Sequence, residues 1–535
     1  MAATRPRQRS SRSGYVPMSV GMVRHGSRFP MACLKRGSGF AMRNKRTWLY
    51  PLLLLVSTLL IVVFRAKRST AQPPLDVAAI DQFVAGQMAV QRVPGLALAI
   101  IQGDQVRYVQ GYGRAGRGQP VTPQTQFLLA SLSKSFTALA VMQLVAAGQI
   151  ELDLPVQTYL PEFTLADPTA AGQVTIRHLL NQTSGLADAG LRTAEPPQYM
   201  TIEAYVADLP MARPVSPPGR EFHYTDANYA VLARVVEVVS GQPFSAYLQT
   251  HVFAPLQMAQ TFHAVTSDEA KQRAERLAQG HLVVYAIPVA VDEMSGYLGG
   301  AAGVVSTAED MANYLIMQNN GGRFQGTQVL AEEAVARMHT PPANIDTNYA
   351  MGWMETMDNG RRLLEHNGIL SVFFADVVLL PETGQGLVLL YNISSLATIT
   401  LAAPAIRDGL ITLLTSGQPA PARFTVTVWG VLMALVTLSG VALAVRSLLR
   451  LPRWVERTQN ISMWRLVLGI AWAFVPAAIL LGLPALITAT AGRVFGYTQL
   501  ARSMPEIFLW LGLCGVLGVI SGAIRIGLLS RRFDS

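Results

Sequence analysis

Cysteine is nearly missing from this 535-residue chain, and charge is scarce. Its two cysteines, Cys33 and Cys514, lie outside residues 69–420, so that stretch has no internal disulfide and no thiol nucleophile. Only 14% of the residues are Asp, Glu, Lys or Arg, against roughly 25% in an ordinary soluble domain. Half of the residues are hydrophobic, and mean hydropathy is +0.30. A wholly soluble protein and a largely disordered one are both excluded. The patterns GxSxG, HExxH and GxxxxGK are absent, which argues against an α/β-hydrolase, a zincin and a P-loop NTPase. There is no internal repeat.

The net charge of +10 belongs to the ends. Residues 1–47 hold eleven Lys/Arg and no acid, and residues 421–535 hold eleven against three acids. Residues 69–420 hold eighteen against thirty, a net of −12. An acidic middle is the wrong sign for nucleic acid.

Four apolar runs account for the hydropathy. Trp48–Phe64 follows the basic leader 1–47, which reads as disordered and cytoplasmic, and itself reads as a signal anchor or signal sequence. Phe424–Val445, Leu466–Thr488 and Ile507–Ile524 read as three spans within residues 424–529. Basic residues Arg446, Arg450, Arg453 and Arg457 mark a cytoplasmic loop, and Arg525, Arg531 and Arg532 the last inside end. The segment 489–506 carries only Arg493 and Arg502 and falls outside. Four spans place residues 69–420 outside the cytoplasm of a multi-pass cell-membrane protein.

Those middle residues read as one mixed α/β domain: an antiparallel sheet joining the two ends of the domain, flanked by helices, with a helical insertion. Leu75–Val93 predicts a helix, Leu96–Gln102 and Val106–Gly111 two strands about a Gly103-Asp104 turn, and Ser131–Ala147 a long helix. Ser371–Leu380 and Gly386–Tyr391 predict a second hairpin, and Ala397–Leu414 a final helix. Gly111–Gly116 spells GxGxxG, but Pro120 and Pro123 follow where a helix is required, so it reads as a turn.

Three short patterns can carry chemistry. Ser131-Leu132-Ser133-Lys134 is an SxxK at a helix start, which puts a hydroxyl and an amine one turn apart. A serine needs a base, and a lysine serves as one only when burial or nearby positive charge lowers its pKa. Tyr224-Thr225-Asp226 precedes an apolar helix, where Tyr224 could protonate a leaving group or simply pack, with Asp226 as a cap. His366-Asn367-Gly368 reads as a turn before the Ser371 strand, or as a place where substrate approaches the backbone closely. No histidine has partners at metal-ligand spacing, so no metal and no cofactor is expected.

In combination these patterns resemble a known family. FLLASLSKSFTALAVMQLVAAGQIELDLPVQTYLPEF is similar to the nucleophile segment of the penicillin-recognising serine hydrolases: class C β-lactamases, D-Ala-D-Ala carboxypeptidases and related esterases. TIRHLLNQTSGL, YTDANYAVLARVVEVVSGQPF, GGAAGVVSTAEDMANYL and EHNGILSVFFADVVLLPETGQGLVLLYN match further stretches in the family's order, over roughly residues 75–415. The resemblance implies a β-lactamase/transpeptidase-like fold and acyl-enzyme hydrolysis of a small-molecule or peptide substrate, such as a cell-wall derivative. It makes Ser131 the nucleophile, Lys134 its base or relay, and Tyr224 the proton shuttle. Asp226, His366, Gly368 and Ile369 become substrate-binding positions, and the N–H groups of Ser131 and Ile369 the oxyanion hole.

Two positions depart from the family pattern. Asp226 stands where Asn is usual, and an ionised carboxylate accepts hydrogen bonds but cannot donate. His366 replaces a lysine that binds a substrate carboxylate. Both changes point away from a β-lactam and toward an ester or amide. A slowly turning-over cell-wall or β-lactam sensor, passing a signal through the C-terminal spans, is the alternative from another class. A transporter is a weaker third reading, since the spans hold almost no charge.

Overall fold

The computed structural model describes residues 75–535 except 117, 192–198, 416, 418, 420–423, 459–460 and 534–535. The expected leader 1–47 and the apolar segment 48–64 lie outside the described residues.

The main sheet has seven strands: β1 (Gly95–Gln102), β2 (Gln105–Gly116), β3 (Gln119–Pro120), β4 (Met354–Asp358), β5 (Arg361–Ile369), β6 (Phe374–Leu380) and β7 (Gln385–Tyr391). Their order is β4-β5-β6-β7-β1-β2-β3, with every neighbour antiparallel. The first and last parts of the domain therefore meet at the centre, where Leu96 pairs with Tyr391 and Gln102 with Gln385.

β1, β6 and β7 are almost wholly apolar, Asp376 in β6 being the one acid, because both of their faces are covered. Side chains alternate between the faces. Leu96, Leu98, Ile100, Leu387 and Leu389 pack under α1 (Val77–Gln91) and α5 (Ala403–Thr415). Ala97, Ala99, Ile101, Val388 and Leu390 face the larger core with α2 (Ser133–Ala146), α3 (Asp226–Ser240) and α4 (Ala308–Asn319). α2 is apolar around most of its circumference and runs through the middle of the domain, with even Lys134 fully buried.

Two local readings need correction. Gly111–Gly116 is not a turn but the second half of β2. A Cβ at Gly111 would collide with Val121 and one at Gly113 with the Pro94 carbonyl, so these glycines admit close strand neighbours. His366-Asn367-Gly368 is not a turn before a strand. It lies within β5, paired with β6 from Leu364–Leu379 to Ile369–Phe374.

Three further helices follow: α6 (Val426–Leu449), α7 (Met463–Ala491) and α8 (Pro505–Phe533). Each is long and apolar enough to cross a membrane, so the described residues hold three candidate spans. Their outer faces present large apolar side chains, including Leu438, Leu443, Trp472 and Leu481. Surfaces of that kind require a lipid or protein covering.

The bundle is tied to the domain at several points. The Val426 N–H donates to the Gln91 side chain (3.0 Å), and the Thr427 hydroxyl donates to the Val90 carbonyl (2.7 Å). The hairpin His281–Ala290 reaches α6 through Tyr285 and Thr437, whose hydroxyls are 2.9 Å apart. The Tyr285 N–H donates to Glu506 at the start of α8 (3.1 Å).

Candidate active site

Ser131 sits in a single 3₁₀ turn, Ala130–Leu132, that runs directly into α2. Ala130 holds φ at +51°, a left-handed conformation that costs a non-glycine residue about 1 kcal/mol or more. Strain of this kind beside a reactive residue persists only when packing enforces it. Here β5 enforces it: a Cβ on Gly368 would collide with the Leu129 carbonyl, so only glycine lets the strand pass against the Ser131 turn. Ser133 fixes the other side by accepting from the Val304 N–H at 2.9 Å.

One turn on, the Lys134 ammonium donates to Ser131 Oγ (3.0 Å), Asp226 Oδ1 (2.6 Å) and the Ala301 carbonyl (3.2 Å). Three acceptors match its three N–H donors. Desolvation, the largest single influence, pulls the lysine pKa down, but Asp226 and Tyr224 together outweigh it, and the pKa lies above the ordinary value. The resting lysine is charged.

Asp226 is the first residue of α3, after Thr225, whose hydroxyl caps the helix by accepting from Ala227 N–H at 3.4 Å. The start of α3 is clamped by Gln182, which accepts from Thr225 N–H (3.2 Å) and Asn228 Nδ2 (2.5 Å). Burial would raise the Asp226 pKa, yet Lys134 and Arg493 together hold it well below the usual carboxylate range. Tyr224 lies beside both cations, with Lys134 Nζ 4.8 Å and Arg493 Cζ 5.1 Å from its ring centroid.

The domain that holds these residues is similar to known proteins. Residues 80–410 match the Beta-lactamase family model, well over half of the chain. The chain belongs to the beta-lactamase family. Penicillin-binding protein 4 of Amycolatopsis lactamdurans is 32% identical over 313 residues, covering 56% of this chain and 81% of that protein. Protein flp of Staphylococcus aureus (strain MW2) is 27% identical over 322 residues, covering 59% of this chain but only 63% of its own length. Among solved structures, the octameric penicillin-binding protein homologue from Pyrococcus abyssi superposes with a TM-score of 0.54 at 24% identity, over 68% of this chain and 81% of that one. EstCE1, a hydrolase with promiscuous acyltransferase activity, does so with 0.50 at 23%, over 59% and 94%. These two likenesses speak to fold alone. The family is one of serine hydrolases.

In this beta-lactamase-family chain, folding links Ser131 to Asp226 through Lys134 and sets Tyr224 beside the lysine. Gly368 lies against the Ser131 turn, and Ile369, about half exposed, ends β5 next to it. His366 differs from the substrate-binding position expected for it. Only 2% of it is exposed. Its Nδ1 lies 2.7 Å from the Asn367 carbonyl and its Nε2 3.4 Å from the Tyr349 hydroxyl. Burial, helped by Lys134, pushes its pKa down to about 3, so it is a neutral imidazole and no substitute for a lysine.

Sequence reasoning missed two members. Asp188 and Arg493 form an ion pair at 2.6 Å, and Arg493 Nη2 lies 3.0 Å from Asp226 Oδ2. Neither residue belongs to a motif. The one available signal was an arginine in a segment where the positive-inside pattern leaves few basic residues. Among the described residues, no group of three or more His, Cys, Asp or Glu could hold a metal ion.

Proposed function

We propose that the protein is a membrane-anchored serine hydrolase that works through an acyl-enzyme on Ser131, with its hydrolase domain outside the cytoplasm. The observation that carries this reading is the 3.0 Å contact between Ser131 Oγ and a buried Lys134 at a strained turn backed by glycine. Ser131 attacks an ester, amide or D-amino-acid peptide carbonyl, with cell-wall derivatives among the candidate substrates. Its proton passes to Lys134 as the ammonium hands one of its own on to Tyr224, which lies beside it. Tyr224 protonates the leaving group. The backbone N–H groups of Ser131 and Ile369 stabilise the oxyanion, a donor typically being worth about 10²–10³ in rate. Water then releases the acid and restores Ser131. A neutral His366 leaves the carboxylate of a β-lactam without its usual cation, which supports an ester or amide substrate. Three C-terminal helices and the basic residues that flank them support the anchoring and the orientation.

A second reading, a slowly deacylating sensor, is favoured by one observation: the ammonium of Lys134 is already saturated with acceptors, which slows any step that needs it neutral.

The test uses the full chain in detergent micelles with a fluorophosphonate probe and a chromogenic ester. A single adduct and ester turnover, both lost in Ser131→Ala, support the hydrolase. An adduct without turnover supports the sensor. Labelling that survives Ser131→Ala overturns both.

A further inference from the structure

The loop between α7 and α8 touches the hydrolase domain on two sides of the Ser131 site. On one side, Arg493 bridges Asp188 (2.6 Å) and Asp226 (3.0 Å) and lies over Tyr224. On the other, Arg502, in the short helix Tyr497–Ser503, donates to the Asp292 carbonyl (2.7 Å) and to Ser371 Oγ (3.3 Å). Ser371 stands two residues beyond Ile369, at the end of β5. Glu506 adds a third attachment through Tyr285. Arg493 and Arg502 are the only basic residues in 489–506, and both are used on the domain rather than left to solvent.

Charge gives this contact a consequence. Asp226 and Asp188 bring two negative charges beside a single lysine. Without Arg493 the cluster is net negative, which holds the proton on Lys134 and opposes a developing oxyanion on the substrate. With Arg493 two cations face two carboxylates. Each Asp226 oxygen then has its own partner, Oδ1 with Lys134 and Oδ2 with Arg493.

We infer that Arg493 is a positioning residue of the Ser131 site, supplied by the membrane-proximal loop, that balances the charge of Asp226 and keeps its second oxygen away from Lys134. The inference rests on the proposed role of Ser131 and Lys134. It explains how the site holds an aspartate where the family has asparagine: Asp226 with Arg493 stands in for the neutral amide. It also makes the C-terminal helices part of the catalytic unit rather than an anchor alone.

The groups around the lysine make the test interpretable. Lys134 is faced by Asp226, Tyr224 and Tyr229 from α3 and its approach, and by the neutral His366 from β5. Asp226 is faced by Arg493 and, through it, Asp188. Tyr205 and Tyr297, stacked with ring centroids 4.7 Å apart, lie on that side, and burial keeps both phenols protonated.

The experiment measures the second-order rate of fluorophosphonate labelling against pH, on the full chain in micelles, over the range in which the protein stays folded. The variants are Arg493→Ala, Arg493→Lys, Asp226→Asn and the double variant Asp226→Asn/Arg493→Ala. A single nearby charge typically moves a pKa by 1–3 units. Arg493→Ala is therefore expected to slow labelling about tenfold or more at neutral pH and to move the rising limb to higher pH. Arg493→Lys restores most of the rate. In the Asp226→Asn background, Arg493→Ala changes the rate by less than about twofold, because the charge it balances is gone.

An unchanged rate and limb in Arg493→Ala overturns the inference. So does a pH-independent loss of equal size in both backgrounds, which is the mark of a merely structural contact. Should Arg493→Ala fail to fold, Arg493→Gln, which removes the charge but keeps a hydrogen-bond donor, takes its place in both backgrounds. Ser131→Ala separates the two levels: labelling that persists there defeats the nucleophile assignment. Labelling lost there but indifferent to Arg493 defeats only this inference.

Discussion

Acidification from pH 7 to pH 5 should weaken the hydrolase domain, with three buried histidines, partly offset by Asp376, contributing about 4 kcal/mol of the loss. Burial holds His263 at about 4, and burial with Arg362 and Lys134 respectively holds His339 and His366 at about 3. An unfolded histidine titrates near ~6.5. Between those values the unfolded chain binds protons that the folded chain refuses, so stability falls as pH falls. Over the two pH units each histidine loses about 2 kcal/mol, and the three about 6. Asp376 works the other way. Burial outweighs the pull of Arg407 and raises it to about 7. Its folded form takes up a proton first, which returns about 2 kcal/mol over the same interval. The remaining 4 or so is a large share of the roughly 5–15 kcal/mol that holds a domain together.

Urea unfolding of the full chain in micelles, followed by near-ultraviolet circular dichroism at both pH values, measures the difference. His339→Gln can keep a hydrogen bond to Gln318, now 3.0 Å from His339 Nε2, and should shrink the pH difference by about 2 kcal/mol. A stability flat between pH 7 and pH 5, or a His339→Gln variant with the wild-type slope, would refute the reasoning.

Other perturbations probe the site and the sheet. Tyr224→Phe removes the proposed proton donor and should cut ester turnover by about 10²–10⁴, with little change in melting temperature. Gly368→Ala drives a methyl into the Leu129 carbonyl, and should lower both the melting temperature and the labelling rate of Ser131. Asp376→Asn removes a carboxyl that the fold must charge at alkaline pH. Because its folded pKa is raised, the variant should gain on the order of 2–4 kcal/mol above pH 8 and almost nothing below about pH 4, the unfolded carboxyl's range, read as melting temperature against pH.

Much of the sheet was legible in the sequence. Apolar runs such as Gly95–Gln102 and Gln385–Tyr391 announce strands covered on both faces, and they are the two that pair. β5 was harder, because Arg361, Arg362 and Glu365 break up its apolar pattern. The charges lie on ion pairs, Arg362 with Glu355 and Glu365 with Arg407, that exist only once the chain has folded. At the site, three weak motifs gained meaning from their order, and folding joins Ser131, Lys134 and Asp226. The depth of His366 was not legible, because residue type says nothing of burial, and burial is what makes it neutral. Arg493 was invisible to motif reading, since its partners Asp188 and Asp226 are hundreds of residues away in sequence.

The pairing of β1 with β7 sets a timetable. β1 is made among the first parts of the domain, yet its second neighbour does not exist until Gln385–Tyr391 has been synthesised. Until then GLALAIIQ has one open edge, a short, uncharged, β-prone segment of the kind that invites wrong pairing. A growing chain must shelter that edge through the whole helical insertion. Arg493 is made later still, after α6 and α7, when the sheet is already complete. Synthesis thus runs from scaffold to site, and the loop between the last two helices laid down brings the final charge to Asp226.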